Sequence, residues 1–165
     1  MGQSSSQQRR IERRLQPGDH ITTDRYVFVY QHHGIYVGDD MVIHLLPLVK
    51  QGNSSIQCQK CGHTPSTHGG IVKTCLSCFR DGNSMDIICY NSWDCKAPDE
   101  VVKTATEFLE GIRSFGDYNF VFNNCEDFAS FCKTGTKSSE QRAKGITLAT
   151  VAVAALPAVK ISRLF

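Results

Sequence analysis

The strongest constraint on the fold is a series of short strand-like runs between Pro17 and Leu46. Turn residues separate these runs, first in the segment 17–19 and later at Gly38-Asp39-Asp40. This pattern predicts a β-meander that ends in a hairpin, and therefore an antiparallel sheet. The predicted strand segments are residues 20–22, 26–30, 33–37 and 41–45, with a further strand over 84–91.

An amphipathic helix is predicted over residues 98–112. Pro98 lies near its first turn, where a missing N–H is tolerated, and Asp99 suits the positive end of the helix dipole. Apolar residues recur at helical spacing along one face, which predicts a buried stripe. The stripe consists of Val101, Val102, Ala105, Phe108, Leu109 and Ile112.

A second helix is predicted over about residues 124–133. Asn123 or Asn124 supplies its cap, and Gly135 follows its last turn. These boundaries place Cys125 at the helix N-terminus. Together with the strands, the two helices indicate an α+β fold in which helices pack on an antiparallel sheet.

The length of 165 residues fits one domain. We expect a flexible basic arm over residues 1–14, an ordered domain over 15–135 and an apolar tail over 136–165. The arm is polar and basic, unlike a secretory signal peptide, so we expect a reducing, cytoplasmic environment. The net charge of +2 gives no indication of nucleic-acid binding, and we expect a monomer.

Residues 50–82 are rich in Gly, Ser, Thr and Cys and contain few large apolar side chains, so this insertion cannot build its own core. Two Cys-x-x-Cys pairs separated by 13 residues are a usual arrangement for tetrahedral zinc. His63 and His68 lie between the pairs as alternative ligands, and a redox pair is an alternative to zinc. We predict a structural zinc ion, without a catalytic role, bound by Cys58, Cys61, Cys75 and Cys78.

Cys125 is the candidate nucleophile, because a helix N-terminus lowers the pKa of a thiol and its N–H groups can stabilise an oxyanion. The candidate bases are the histidines on the two arms of the predicted hairpin. A two-residue loop pairs position 35 with 44 and places His33 on the face of His44. A three-residue loop that includes Gly38 pairs 34 with 44 and selects His32 instead. The residues alone leave both alternatives open.

Three blocks of the sequence carry a resemblance to a known family. They read His-His-Gly-Ile-Tyr-Val-Gly over 32–38, Val-Ile-His-Leu over 42–45 and Asn-Cys-Glu-Asp-Phe over 124–128. In this order they closely resemble the signature blocks of the lecithin:retinol acyltransferase-like family, over about residues 15–133. The resemblance implies a fold like circularly permuted papain, with Cys125 as nucleophile, His32 as base and His44 as the third polar residue.

The resemblance also implies a reaction, in which the acyl group of a glycerophospholipid passes to the thiol and then to water, an amine or a lysolipid. It implies no cofactor for catalysis and does not fix the acceptor. Asp127 stands where the family commonly has histidine, and an acidic residue in the first turn suits the helix dipole. Some plant members of the family look similar to this chain in another respect, because they carry a cysteine-rich insertion at the position of residues 50–82.

The N-terminus matches the pattern for N-myristoylation, Met1-Gly2-x-x-x-Ser6, so Gly2 is the predicted lipidation site. One myristoyl chain binds a membrane weakly, and the arginines of the arm are the expected second signal. The apolar run over 145–159 is shorter than the roughly 20 residues that span a bilayer. We expect a peripheral protein on a phospholipid membrane surface, with an unmodified arm as the alternative.

Two other functions are compatible with the sequence. The first is a membrane-tethered adaptor with weak or no catalysis, in which the zinc loop covers the cleft. The second is a thiol redox sensor whose cysteine pairs release metal on oxidation.

Overall fold

The computed structural model describes residues 14–25, 30–47, 56–64, 69–116 and 124–138. Within these ranges the chain forms an antiparallel sheet with helices packed on both faces, which confirms the α+β fold. Gly2, residues 26–29, Asn123, His68 and the apolar tail from residue 139 lie outside the described residues.

The sheet contains five strands in these ranges, and every neighbouring pair is antiparallel. The strands are β1 (His20–Arg25), β2 (Tyr30–Gly38), β3 (Met41–Leu46), β4 (Gly70–Cys75) and β5 (Met85–Ile87). Their order across the sheet is β4-β3-β2-β1-β5, so the β2–β3 hairpin predicted from sequence lies near the centre.

Three α-helices lie wholly within the described ranges: α1 (Leu76–Arg80), α2 (Pro98–Leu109) and α3 (Cys125–Thr134). The predicted start of α2 is confirmed, but the helix ends at Leu109, because Glu110 caps it and Gly111 adopts a φ of 72°. Ile112 therefore lies beyond the helix and is 69% exposed, so its prediction as a buried residue is wrong.

The core has one apolar cluster on each face of the sheet. On one face α2 and α3 cover the sheet, with Phe108 and Phe128 packed near Ile35. On the other face Phe79 of α1 packs with Val42. Alternate residues of each strand point to opposite faces, so residues 32, 34 and 36 share the α1 face.

The register of the β2–β3 hairpin answers the question that the sequence left open. Asp39 and Asp40 form a two-residue turn, and both have the positive φ that a type I′ turn requires, 49° and 62°. The pairing then shifts between Tyr36 and Gly38, so that Gly34 lies opposite His44. This register places His32 on the face of His44, and a bulge produces it rather than a three-residue loop.

Residues 70–80 belong to the sheet and the core, which the composition of the segment 50–82 does not indicate. Strand β4 pairs with the whole of β3, from Leu46 opposite Gly70 to Met41 opposite Cys75. Immediately after β4, helix α1 buries Phe79 completely. The apolar residues of this segment are few, but they are concentrated where the chain rejoins the sheet.

Gly34→Ala should lower the free energy of unfolding by about 1–3 kcal/mol, the usual cost of overpacking a core. A Cβ at this position would lie 2.7 Å from Val42 Cγ1, 2.9 Å from Phe79 Cε2 and 3.1 Å from His44 Cβ. Urea denaturation of the variant and the wild type measures the difference.

Gly82→Ala is the matched comparison, because Gly82 has open space around it and a φ of 78°. Any loss of stability in this variant therefore reports backbone strain alone. Unlike Gly82→Ala, Gly34→Ala should also shift the NMR signals of the His44 ring. A Gly34→Ala protein with wild-type stability would contradict the packing described for this face.

Candidate active site

Cys125 occupies the first position of α3, as the sequence predicts. The Asn124 side chain accepts a hydrogen bond from the Asp127 N–H at 3.0 Å, and Gly135 ends the helix with a φ of 81°. The thiol is 4% exposed and donates to the Gln31 carbonyl of β2, with sulfur and oxygen 3.8 Å apart. The helix thus holds the sulfur against the backbone of β2.

Burial and backbone dipoles act in opposite directions on this thiol. Burial raises the pKa of Cys125 above its ordinary value of 9.0, because a buried thiolate loses its hydration. The N–H groups of His33, Glu126 and Cys125 itself lower that pKa, and burial is the larger effect. The resting thiol is therefore protonated, with three N–H groups placed to stabilise negative charge.

His32 and His44 form a buried pair across the two strands. His32 Nε2 and His44 Nδ1 lie 2.8 Å apart, and His44 Nε2 lies 2.9 Å from the Thr74 hydroxyl of β4. Each histidine is no more than 3% exposed. Phe79 packs against both rings, with centroids 5.2 Å from His32 and 5.3 Å from His44. The ring-to-ring hydrogen bond, the Thr74 hydroxyl and the Phe79 ring therefore hold the pair in place.

Burial keeps the two rings uncharged. It lowers the pKa of His32 to about 3, with a smaller contribution from the positive charge of Arg25. It also lowers the pKa of His44 well below 6.5. At neutral pH both rings are therefore neutral, and each has one nitrogen that can accept a proton.

The thiol lies beside residue 32 of β2, at the point where β2 is no longer paired with β3. The ladder between β2 and β3 ends at the pair of Gly34 and His44, and the sulfur contacts the backbone of Gln31 and His33 just beyond it. These two residues flank His32 in the sequence. The Cys125 thiol donates to the Gln31 carbonyl in this arrangement, so a hydrogen bond to a histidine ring would require it to turn away from that carbonyl.

His33 belongs to a second hydrogen-bonded chain that the sequence analysis does not predict. His33 Nδ1 lies 2.9 Å from His20 Nε2, and His20 Nδ1 lies 2.7 Å from the Tyr90 hydroxyl. Burial lowers the pKa of His20 well below 6.5 and raises that of Tyr90 to about 12. These contacts join β1, β2 and the segment after β5, so no local sequence pattern could indicate them.

Asp127, which stands where the family that the sequence resembles commonly has histidine, is completely buried in the first turn of α3. Its carbonyl accepts a hydrogen bond from the Ser130 hydroxyl at 3.2 Å. The residue therefore forms part of the packed helix N-terminus, directly after Cys125 and Glu126.

The four predicted metal ligands come together in one cluster. The sulfur atoms of Cys58, Cys61, Cys75 and Cys78 all lie within 4.8 Å of one another, and two of the pairs are 3.8 and 3.7 Å apart. Tetrahedral Zn²⁺ with Zn–S bonds of about 2.3 Å places its sulfurs about 3.8 Å apart. The donor set and its spacing therefore fit a metal ion of this kind, and His63 is not part of the cluster.

The local backbone shapes the first cysteine pair. Gly62 donates to the Cys58 carbonyl at 2.8 Å, and the N–H groups of Cys61 and Lys60 lower the pKa of Cys58 to about 6. Burial raises the pKa of Cys78, and the neighbouring cysteines of the cluster raise it further. A bound cation would remove the repulsion among the thiolates.

The cysteine cluster is fixed to the hairpin turn. Lys60 forms an ion pair with Asp40, and Leu76, which follows Cys75, donates its N–H to the Asp40 carbonyl at 2.8 Å. None of the eight cysteines forms a disulfide, and all of them lie in the described ranges.

Among the described residues, every helix is too short or too polar to cross a bilayer.

Comparisons with known proteins agree with the arrangement of the site. A family model described as lecithin retinol acyltransferase matches residues 13–138. Protein LEAD-SENSITIVE 1 of Arabidopsis thaliana is 37% identical over 82% of this chain, and lecithin retinol acyltransferase of Mus musculus is 28% identical over 77% of it. The matches span 64% and 58% of the lengths of these relatives, less than two thirds of either.

Cys125 should react with iodoacetamide at a rate that rises with pH and continues to rise above about pH 9. Burial keeps its thiol protonated at neutral pH, and burial of His32 prevents that ring from storing the proton as an imidazolium. Brief labelling at a series of pH values, followed by peptide mass spectrometry, measures the rate.

The exposed Cys89 in the same samples reports the activity of the reagent at each pH. A Cys125 rate that is high and constant between about pH 5 and 8 would indicate a thiolate–imidazolium pair and would contradict a neutral resting site.

Proposed function

The chain belongs to the lecithin retinol acyltransferase family, and from this premise we propose that it is a thiol-dependent acyltransferase or phospholipase. Its substrates are the acyl esters of glycerophospholipids. Cys125 is the nucleophile, His32 the general base and His44 the residue that orients it. Catalysis needs no cofactor.

The observation that carries this proposal is the buried His32–His44 pair beside a cysteine at a helix N-terminus. The pair has a ring-to-ring hydrogen bond of 2.8 Å, and the thiol contacts the backbone carbonyl next to His32. A nucleophile, a base and a third group that orients the base are the parts that covalent acyl transfer requires.

In the first half of the reaction, the Cys125 thiol leaves the Gln31 carbonyl and gives its proton to His32. The sulfur then adds to the ester carbonyl carbon of the lipid. The bond between that carbon and the glycerol oxygen breaks, and His32 returns the proton to the leaving alkoxide. The products are a thioester on Cys125 and a lysolipid.

In the second half, water or another nucleophile attacks the thioester while His32 accepts its proton. The carbon–sulfur bond breaks, and the proton returns to the Cys125 sulfur. The N–H groups that surround the sulfur at the start of α3 are suited to the negative charge that develops in both halves.

The proposed partner is a phospholipid membrane surface. The myristoylation pattern at Gly2 and the basic residues of the arm support this partner. Trp93, in the short 3-10 turn Ser92–Asp94, is 94% exposed, and tryptophan is favoured at the level of the lipid headgroups. The protein then acts as a peripheral enzyme on the cytoplasmic side.

The cysteine cluster is proposed to hold a structural zinc ion. Four thiolates fill a tetrahedral site, so a metal there orders the segment between β3 and β4 and takes no part in the chemistry.

A second candidate function is a membrane-tethered adaptor without catalysis. The observation that favours it is the deep burial of the Cys125 thiol and its hydrogen bond to Gln31 rather than to a histidine ring. In that case the family fold is retained as a binding scaffold.

Wild-type protein incubated with phosphatidylcholine vesicles should release lysolipid and gain the mass of one acyl chain. Cys125→Ser should do neither, because a serine hydroxyl is a much weaker nucleophile in this setting. His32→Ala should lower the rate by about 100-fold or more, the usual contribution of a general base. Lysolipid release and intact-protein mass spectrometry are the measurements.

Cys132→Ser is the matched control, because Cys132 lies in the same helix two turns after Cys125 and is completely buried. It should keep the activity of the wild type. Folded wild-type protein that binds vesicles but neither acylates nor releases lysolipid would overturn the enzyme proposal and favour the adaptor.

Purified protein should contain one zinc ion per chain by elemental analysis, because four thiolates form one tetrahedral site. Cys61→Ser should lose the metal, since three sulfurs cannot complete that site. Cys89→Ser, which changes an exposed thiol outside the cluster, should keep it. Equal metal content in the two variants would contradict zinc binding by the cluster.

A further inference from the structure

A continuous chain of hydrogen bonds joins the cysteine cluster to the histidine pair. It begins at the carbonyl of Cys75, one of the four cluster residues, which lies 3.4 Å from the hydroxyl of the preceding Thr74. The same hydroxyl lies 2.9 Å from His44 Nε2, and His44 Nδ1 lies 2.8 Å from His32 Nε2. Every side chain in the chain is buried.

The direction of these bonds decides whether His32 can act as a base. A carbonyl can only accept, so the Thr74 hydroxyl donates to Cys75 and its oxygen accepts from His44 Nε2–H. His44 Nδ1 then has no proton and accepts from His32 Nε2–H. This leaves the lone pair on His32 Nδ1, the form that takes a proton.

The opposite direction produces an inactive base. If the Thr74 hydroxyl donated to His44 Nε2, His44 would carry its proton on Nδ1 and donate it to His32 Nε2. His32 would then have its proton on Nδ1 and no free lone pair for the thiol. The acceptor at Cys75 is what distinguishes the two arrangements.

The residue that follows the second cysteine pair packs against the histidines. Phe79 directly follows Cys78, and its ring contacts both His32 and His44 on the α1 face. Gly34 has no side chain, which allows Phe79 and His44 to approach each other so closely. Residues next to two of the cluster cysteines therefore contact the histidine pair directly.

We propose that Thr74, held in place by its neighbour Cys75 in the proposed metal site, is a positioning residue that fixes the tautomers of His44 and His32. The cysteine cluster thereby keeps the base of the proposed reaction in its proton-accepting form. This inference rests on the proposed thiol chemistry. It assigns the insertion a role in setting the tautomer of His32 as well as a role in folding.

The test is NMR of zinc-loaded protein labelled with ¹⁵N in its histidines, which reports the protonated nitrogen of each ring. In the wild type, both His32 and His44 should carry the proton on Nε2. Thr74→Val removes the hydroxyl with little change in shape and should move the His32 proton to Nδ1. Thr74→Ser keeps the hydroxyl and should retain the wild-type pattern.

The rate of lipid turnover on vesicles should depend on the tautomer of His32. Thr74→Val should lower kcat by about tenfold or more with little change in KM, because the buried His44 N–H loses its acceptor but the lipid site is intact. Thr104→Val is the matched control, since Thr104 is also buried but donates to Glu100 within α2. It should change neither the tautomers nor kcat.

Removal of zinc from the wild type by a chelator should produce the same change in the His32 signal as Thr74→Val. Unchanged tautomers in folded Thr74→Val protein would overturn the proposal, and so would an Nδ1–H form of His32 in the wild type. If no variant turns over lipid yet the tautomers change as expected, the positioning role is supported and the acyl-transfer proposal fails instead.

Discussion

The register between β2 and β3 is the constraint on which the site depends. Side chains alternate across a strand, so a slip of one residue would place His44 on the opposite face from His32. The bulge near Val37 sets this register, because it pairs Gly34 with His44. The two-residue turn without the bulge would pair position 35 with His44. The same pairing places a residue without a side chain where Phe79 approaches. One irregularity in the hairpin thus determines both the hydrogen bond of the pair and its packing.

Burial explains why the resting site carries little charge. The desolvation that lowers the pKa of His32 also raises that of the Cys125 thiol, so a proton remains on sulfur and the ring remains a neutral acceptor. A site of this kind must develop its charge during the reaction. In the proposed acyl transfer, the N–H groups at the start of α3 would stabilise the negative charge of the transition state more than the neutral resting thiol, as catalysis requires.

Much of this arrangement could be predicted from the sequence, and the rest depends on contacts between distant segments. The start of α3, its Asn124 cap and the four clustered cysteines follow local patterns, so they were predictable. The choice between His32 and His33 was not, because a bulge leaves little trace in composition. Strand β4 and the contacts of Thr74 and Phe79 were also missed. Their segment has few apolar residues, and its pairing with β3 crosses a long insertion.

The position of β4 connects the cysteine-rich segment physically to the histidine pair. An edge strand that follows a long polar insertion pays a loop-closure cost and has little apolar surface with which to offset it. Four thiolates on one metal ion would supply that stabilisation at the point where β4 ends and α1 begins. Thr74 and Phe79 lie at that point, and both contact the histidine pair. The stability of the insertion and the geometry of the proposed base therefore depend on the same few residues.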